Sequence, residues 1–159
     1  MNKTHSVLST LAELNNDLSR LLDYLQPVVL LTARLYVAWV FFAAGLRKLQ
    51  DWDTTLFLFE LEYAVPLLSP VAAAWLGTAG ELVLPLLLVV GLCGRLGAIG
   101  LSVVNVVAVI SLEEIAPAAF NQHVLWGALL GAVVVWGAGR FSLDGLLNTR
   151  HRFDNSQTI

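Results

Sequence analysis

Charge is the scarcest feature of this sequence. Asp, Glu, Lys and Arg make up 13% of its 159 residues, against about 25% in a water-soluble domain. There is too little polar side chain here to cover a globule in water. Cys93 is the only cysteine, so no intramolecular disulfide and no dithiol relay can form; a small apolar filler is the expected role. Of the histidines, His5 and His151 lie near the ends, and His123 alone cannot supply a transmembrane bis-histidine haem. No Cys or His cluster has metal-ligand spacing, and the glycines form neither a phosphate loop nor a dinucleotide fingerprint. Arg150-His151-Arg152 is too short a basic run to suggest nucleic acid. Any redox chemistry therefore needs a second molecule to carry the electrons, and no covalently bound cofactor is expected.

Apolar sequence is abundant instead, at 57% of residues. Four runs, 28–48, 71–91, 96–112 and 123–138, come near the roughly 20 residues needed to cross the hydrocarbon of a bilayer. The predicted fold is all-α, an integral membrane four-helix bundle with the lipid bilayer as its first partner. The amino terminus has no apolar core and no small-residue cleavage site of the kind a secretory signal carries. There Val7, Leu11, Leu14, Leu18, Leu21 and Leu25 recur in alternating steps of four and three, the seam of an amphipathic helix. Its polar face is acidic on balance (Glu13, Asp17, Arg20, Asp23), and Pro27 is expected to separate it from the first span. Such a helix can lie on the bundle or headgroups, or pair with a partner protein or a second copy. The organisation predicted is thus an amphipathic helix over 1–26, a four-span domain over 27–147 and a polar tail over 148–159.

Basic residues orient the spans. Arg20, Arg95, Arg140, Arg150 and Arg152 fall on the side of the two termini, which predicts cytoplasmic termini in a bacterial-type inner membrane. The first loop on the opposite side, "DWDTTLFLFELEYAVPLLSP", is too apolar for free solvent and reads as a re-entrant or interfacial cap.

Polar residues within the spans fall on stripes that also carry small residues. Arg34, Ala38, Phe41, Gly45 and Lys48 share one face of the first span; Ala73, Gly77 and Glu81 follow in the second, Ala98, Asn105 and Ala108 in the third, and His123, Gly127 and Gly131 in the fourth. Small residues let membrane helices approach closely, so these stripes are the expected contacts. A central Arg or Asp facing lipid would cost about 2.5–3.5 kcal/mol. The expectation is a buried cluster of Arg34, Glu81 and Asn105, with Arg34 and Glu81 associated and a functional role favoured over a purely structural one. Against a direct pair, side chains lean toward their own helix amino terminus, which tilts Arg34 and Glu81 apart. Toward the outer end, Lys48, Asn121 and His123 are candidates for a pocket that takes a polar headgroup on an apolar tail, such as a quinone.

The segments "ARLYVAWVFFAAGLRKL", "LGTAGELVLPLLLVVGLCGRLGA" and "NQHVLWGALLGAVVVWGAGRFSLDGLL" together resemble the DoxX family of small four-helix membrane proteins. The resemblance rests on Arg34, Gly45-x-x-Lys48, Glu81, Gly91, Arg95 and Gly139-Arg140-x-Ser142-x-Asp144, over about residues 30–147; Pro85 departs from the pattern. It implies a membrane accessory subunit or anchor of a quinone-linked redox complex, without redox-cofactor ligands of its own. A non-catalytic assembly scaffold for a partner protein and a small proton-coupled transporter are the alternatives.

Overall fold

The computed structural model describes the backbone of residues 2–146 and the side chains of residues 11–146. Its helices are α1 (Asn2–Gln50), α2 (Trp52–Leu61), α3 (Pro70–Val90), α4 (Gly94–Ile110) and α5 (Pro117–Trp136), with a helical turn at 143–146. The polar tail expected at 148–159 lies outside the described residues.

The amphipathic segment and the first span are one helix, not two. α1 runs 49 residues with Pro27 inside it, about 73 Å at 1.5 Å per residue. A proline there removes the bond to the carbonyl four residues back, which is that of Asp23. Asp23 is exposed, so water can serve the freed carbonyl, and Leu30 is the first buried residue among the described side chains of α1.

Four helices form the bundle. α1, α3 and α5 are long and apolar enough to cross a membrane, and α4, with 17 residues, reaches about 25 Å. Each packs antiparallel to its sequence neighbour, in the ring α1–α3–α4–α5–α1. One end of the bundle holds Arg34, the α3–α4 turn and the segment after α5; the other holds Lys48 and α2. These are called the Arg34 end and the Lys48 end. The shared interior is Val37, Ala38, Phe41, Leu88, Ala98, Leu101, Leu130 and Val133. Outward faces carry residues such as Trp39, Val83, Val103 and Val135, all exposed. In water this would be an untenable apolar surface; against acyl chains it costs nothing.

The boundaries follow local chemistry. Asp51 caps α2, accepting from the Thr54 backbone N–H at 3.0 Å and the Thr54 hydroxyl at 2.7 Å. Ser69 caps α3 and Pro70 opens it, where its missing N–H is no loss. Gly91 ends α3 in the left-handed region, φ +69°. α2 and the loop after it fold over the Lys48 end: Phe59 packs with Ala73 and Ala74 beneath Trp52, Leu56, Tyr63 and Val65. Trp52 also meets Trp75, ring centroids 4.3 Å apart. The Ala64 backbone N–H donates to Ser111 O at 2.9 Å, which ties this cap to the end of α4.

Candidate functional site

At the Arg34 end the polar groups hold backbone together. Arg34 is 1% exposed, and its guanidinium donates only to carbonyls. Nε reaches Leu88 O at 3.0 Å and Nη2 reaches Val89 O at 2.8 Å; Nη1 donates to Phe141 O at 3.1 Å and to Ala138 O. Leu88 and Val89 lie in the last turn of α3, where carbonyls have no partner further along the helix. The negative ends of α3 and α5 also favour a cation there. Asp144 completes the clasp by accepting from Cys93 N–H at 3.0 Å and Gly94 N–H at 2.8 Å, at the start of α4. Its own N–H donates to Gly91 O at 3.0 Å. The packing leaves no room at Gly91: a Cβ would stand 2.4 Å from Ser142 Cβ. Cys93 is exposed and left-handed (φ +50°) in this turn, so it fills no apolar gap.

The Lys48 end is built differently. A Cβ at Gly45 would lie 2.9 Å from Leu82 Cγ and 3.1 Å from Glu81 Cβ, so bare backbone brings α1 onto α3. One turn on, Lys48 Nζ stands 2.6 Å and 2.5 Å from the two Glu81 carboxylate oxygens. Side-chain exposure is 23% for Lys48 and 9% for Glu81, so both charges are largely withdrawn from solvent. Such a pair recovers its desolvation cost only through close geometry of this kind. Pro85, inside α3, has no N–H for the Glu81 carbonyl, which adds an acceptor beside the carboxylate.

Asn105 and His123 form a second polar pair between α4 and α5. The Asn105 amide Nδ2 donates to His123 O at 2.9 Å, which fixes Oδ1 as the atom 2.7 Å from His123 Nδ1. Nδ1 must then carry a proton, and in the neutral ring Nε2 is left as an acceptor.

Between these pairs lies a cavity of about 420 Å³ with walls from all five helices, including Phe41, Lys48, Phe59, Glu81, Val104, His123 and Trp126. Tyr63 lines it from the loop after α2. Burial pushes the Tyr63 phenol above its usual range, and the Glu62 and Glu81 carboxylates add to the rise, so it remains a protonated donor. Trp126 stands edge-on to Phe41 and His123, with ring centroids 5.8 Å and 4.8 Å away. Its indole Nε1 is buried with no hydrogen-bond partner among the described residues. A wider cleft of about 910 Å³ lies at the Arg34 end, but Asp23, Asp144, Arg95 and Arg140 give its walls both signs of charge.

The structure divides the cluster expected of Arg34, Glu81 and Asn105. Arg34 binds carbonyls at one end, Glu81 pairs with Lys48 toward the other, and Asn105 pairs with His123. The expected Arg34–Glu81 association is absent among the described contacts. Lys48 and His123 line the cavity, whereas Asn121 is exposed and does not. α5 begins at Pro117, so His123 lies in its second turn rather than opening it. Trp126 and Tyr63 were missed. An indole one turn after His123 on the same face was a readable signal; the return of Tyr63 over the bundle was not.

This is an integral membrane helical bundle with a buried ion pair beside an internal cavity. The chain belongs to the DoxX family, whose model matches residues 29–114. An uncharacterized protein of Haemophilus influenzae is 29% identical over 129 residues, covering 76% of this chain and 83% of that one. No solved structure matches.

Proposed function

We propose that the protein is the membrane subunit or anchor of a quinone-linked redox complex, and that the cavity at the Lys48 end holds the head of a quinone. The observation that carries this reading is the conjunction of about 420 Å³ of mostly apolar space with the Lys48–Glu81 pair and an unpartnered indole N–H. Small-molecule sites of roughly 300–1,000 Å³ combine apolar walls with a few placed polar groups. A quinone ring has an apolar body and two carbonyl acceptors. The donors available are Trp126 Nε1, the Tyr63 hydroxyl and Lys48 Nζ, and Phe41 and Phe59 supply aromatic walls. A bound quinone supplies two-electron redox chemistry; the chain's own groups bind and orient it and exclude water. Glu81, held beside Lys48, can give or take a proton at its carboxylate. Arg20, Arg95 and Arg140 at the Arg34 end support placing that end, with both termini, on the cytoplasmic side of an inner membrane.

The test is titration of the purified protein with a short-chain quinone, read by tryptophan fluorescence. Saturable quenching is expected in the natural protein. It should be lost in Trp126→Phe, which removes the N–H and keeps an aromatic ring, and weakened in Glu81→Gln. Equal saturable quenching in all three proteins would overturn the reading.

A further inference from the structure

The part of α1 that leaves the bundle carries an uncovered apolar seam. Every side chain from residue 11 to residue 26 is exposed. Leu11, Leu14, Leu18, Leu21 and Leu25 are each between 48% and 66% exposed, on one stripe. In the heptad notation abcdefg they take positions a and d, and the same 3.5-residue period runs on through Val28, Thr32, Leu35, Trp39, Phe42, Leu46 and Leu49, all exposed except the half-buried Phe42. Acyl chains can cover the later residues. They cannot cover leucines on a helix that continues the first span without a break, and the acidic balance of the polar face (Glu13, Asp17, Asp23 against Arg20) is the wrong sign for anionic headgroups.

We propose that this leucine seam joins two copies of the chain, packed as a parallel, in-register coiled coil that prolongs α1 beyond the bundle. The seam is self-complementary, which favours a second copy. Identical subunits in one membrane present α1 in the same direction, so a two-fold axis along the membrane normal sets leucine against leucine at each level. The flanking pairs between the strands are then Asp17 with Leu22 and Tyr24 with Val29, so no like charges meet. Asp17 already has Arg20 of its own helix at 3.9 Å. Glu13, Arg20 and Asp23 lie off the contact, as does Pro27, which faces the cleft at the Arg34 end.

The whole chain in its membrane tests this, with exposed Cys93 first replaced (Cys93→Ser). Leu18→Cys sits at an a position and Asn16→Cys on the opposite side of the helix. Mild oxidation should give a covalent dimer from Leu18→Cys and none from Asn16→Cys, since facing a residues of a parallel pair come within disulfide reach. In detergent, light scattering should read a dimer for the natural chain and a halved protein mass for Leu18→Glu. Mixing Leu18→Glu with Leu18→Lys should restore the dimer, and helical circular dichroism checks that both variants fold. Equal cross-linking at both positions, a cross-link to a different protein, or no cross-link at Leu18→Cys would each overturn the proposal.

Discussion

Replacing Arg34 by lysine keeps the charge and removes the fork, so it isolates the geometry. The guanidinium sends Nε and Nη2 to Leu88 and Val89 at the end of α3, and Nη1 to Ala138 and Phe141 after α5. A lysine ammonium is a single point and serves one of these groups at most, leaving two carbonyls without their donor. Hydrogen bonds to charged groups contribute about 1.5–3 kcal/mol each in water, while interhelical bonds measured in a membrane bundle average about 0.6 kcal/mol. Two lost bonds therefore bracket the loss between about 1 and 6 kcal/mol, with about 3 kcal/mol the expected value. The assay is unfolding by denaturing detergent in mixed micelles, followed by helical circular dichroism. Quinone quenching of the fraction still folded should match the natural protein, because Arg34 does not line that cavity. A stability change below about 0.5 kcal/mol, smaller than a single such bond, would refute the clamp.

Gly91→Ala should destabilise by more than the roughly 1–2 kcal/mol of a left-handed alanine, because its Cβ would overlap Ser142 Cβ. Adding Ser142→Gly should recover part of the steric cost, since contacts at 3.0 Å to Ser142 Cα and Arg34 Nη2 would remain, and the recovery is read as coupling in a double-mutant cycle. Lys48→Met leaves Glu81 buried without its cation and should cost about 3–5 kcal/mol, whereas Lys48→Met with Glu81→Gln should regain most of it in the same unfolding assay. At Asp51, the Thr54 hydroxyl and then the Thr54 backbone N–H hold the carboxyl below the usual range. Its contribution is full above the unfolded value of about 3.9 and is lost as pH falls through the lower folded value. Amide protection in the first turn of α2, compared above and below that window, should drop on the acid side, and in Asp51→Ala it should be low throughout.

The inward stripe of α1 was legible because Arg34, Ala38, Phe41, Gly45 and Lys48 keep one period, and all of them are buried or half-buried. The partners were not, and the reason is directional. Helical side chains lean toward their own amino terminus. On antiparallel α1 and α3 that lean carries Arg34 to one end and Glu81 to the other, and the structure follows it. Charge alone calls for a carboxylate beside Arg34, but two carbonyls in the last turn of α3 and two in the segment after α5 satisfy the guanidinium in its place. Pro27 suggested a break because sequence shows the missing N–H and not the exposed setting in which one lost bond is cheap. The pairing of His123 with Asn105 was hidden by starting the last span six residues late; Pro117, a natural opening residue, marked the true start. The clasp of Ser142 and Asp144 depends on the left-handed turn at Gly91 and Cys93, a backbone geometry that residue spacing does not encode.

The buried ions divide into the Arg34 clamp at one end and the Lys48–Glu81 pair at the other, and lipid extracts of three gently purified proteins test most directly the proposal that only the second serves a ligand. Quinone content per mole of protein should be stoichiometric in the natural chain, preserved in folded Arg34→Lys and lost in Trp126→Phe. Quinone absent from the natural chain, or lost in Arg34→Lys and kept in Trp126→Phe, would contradict the account.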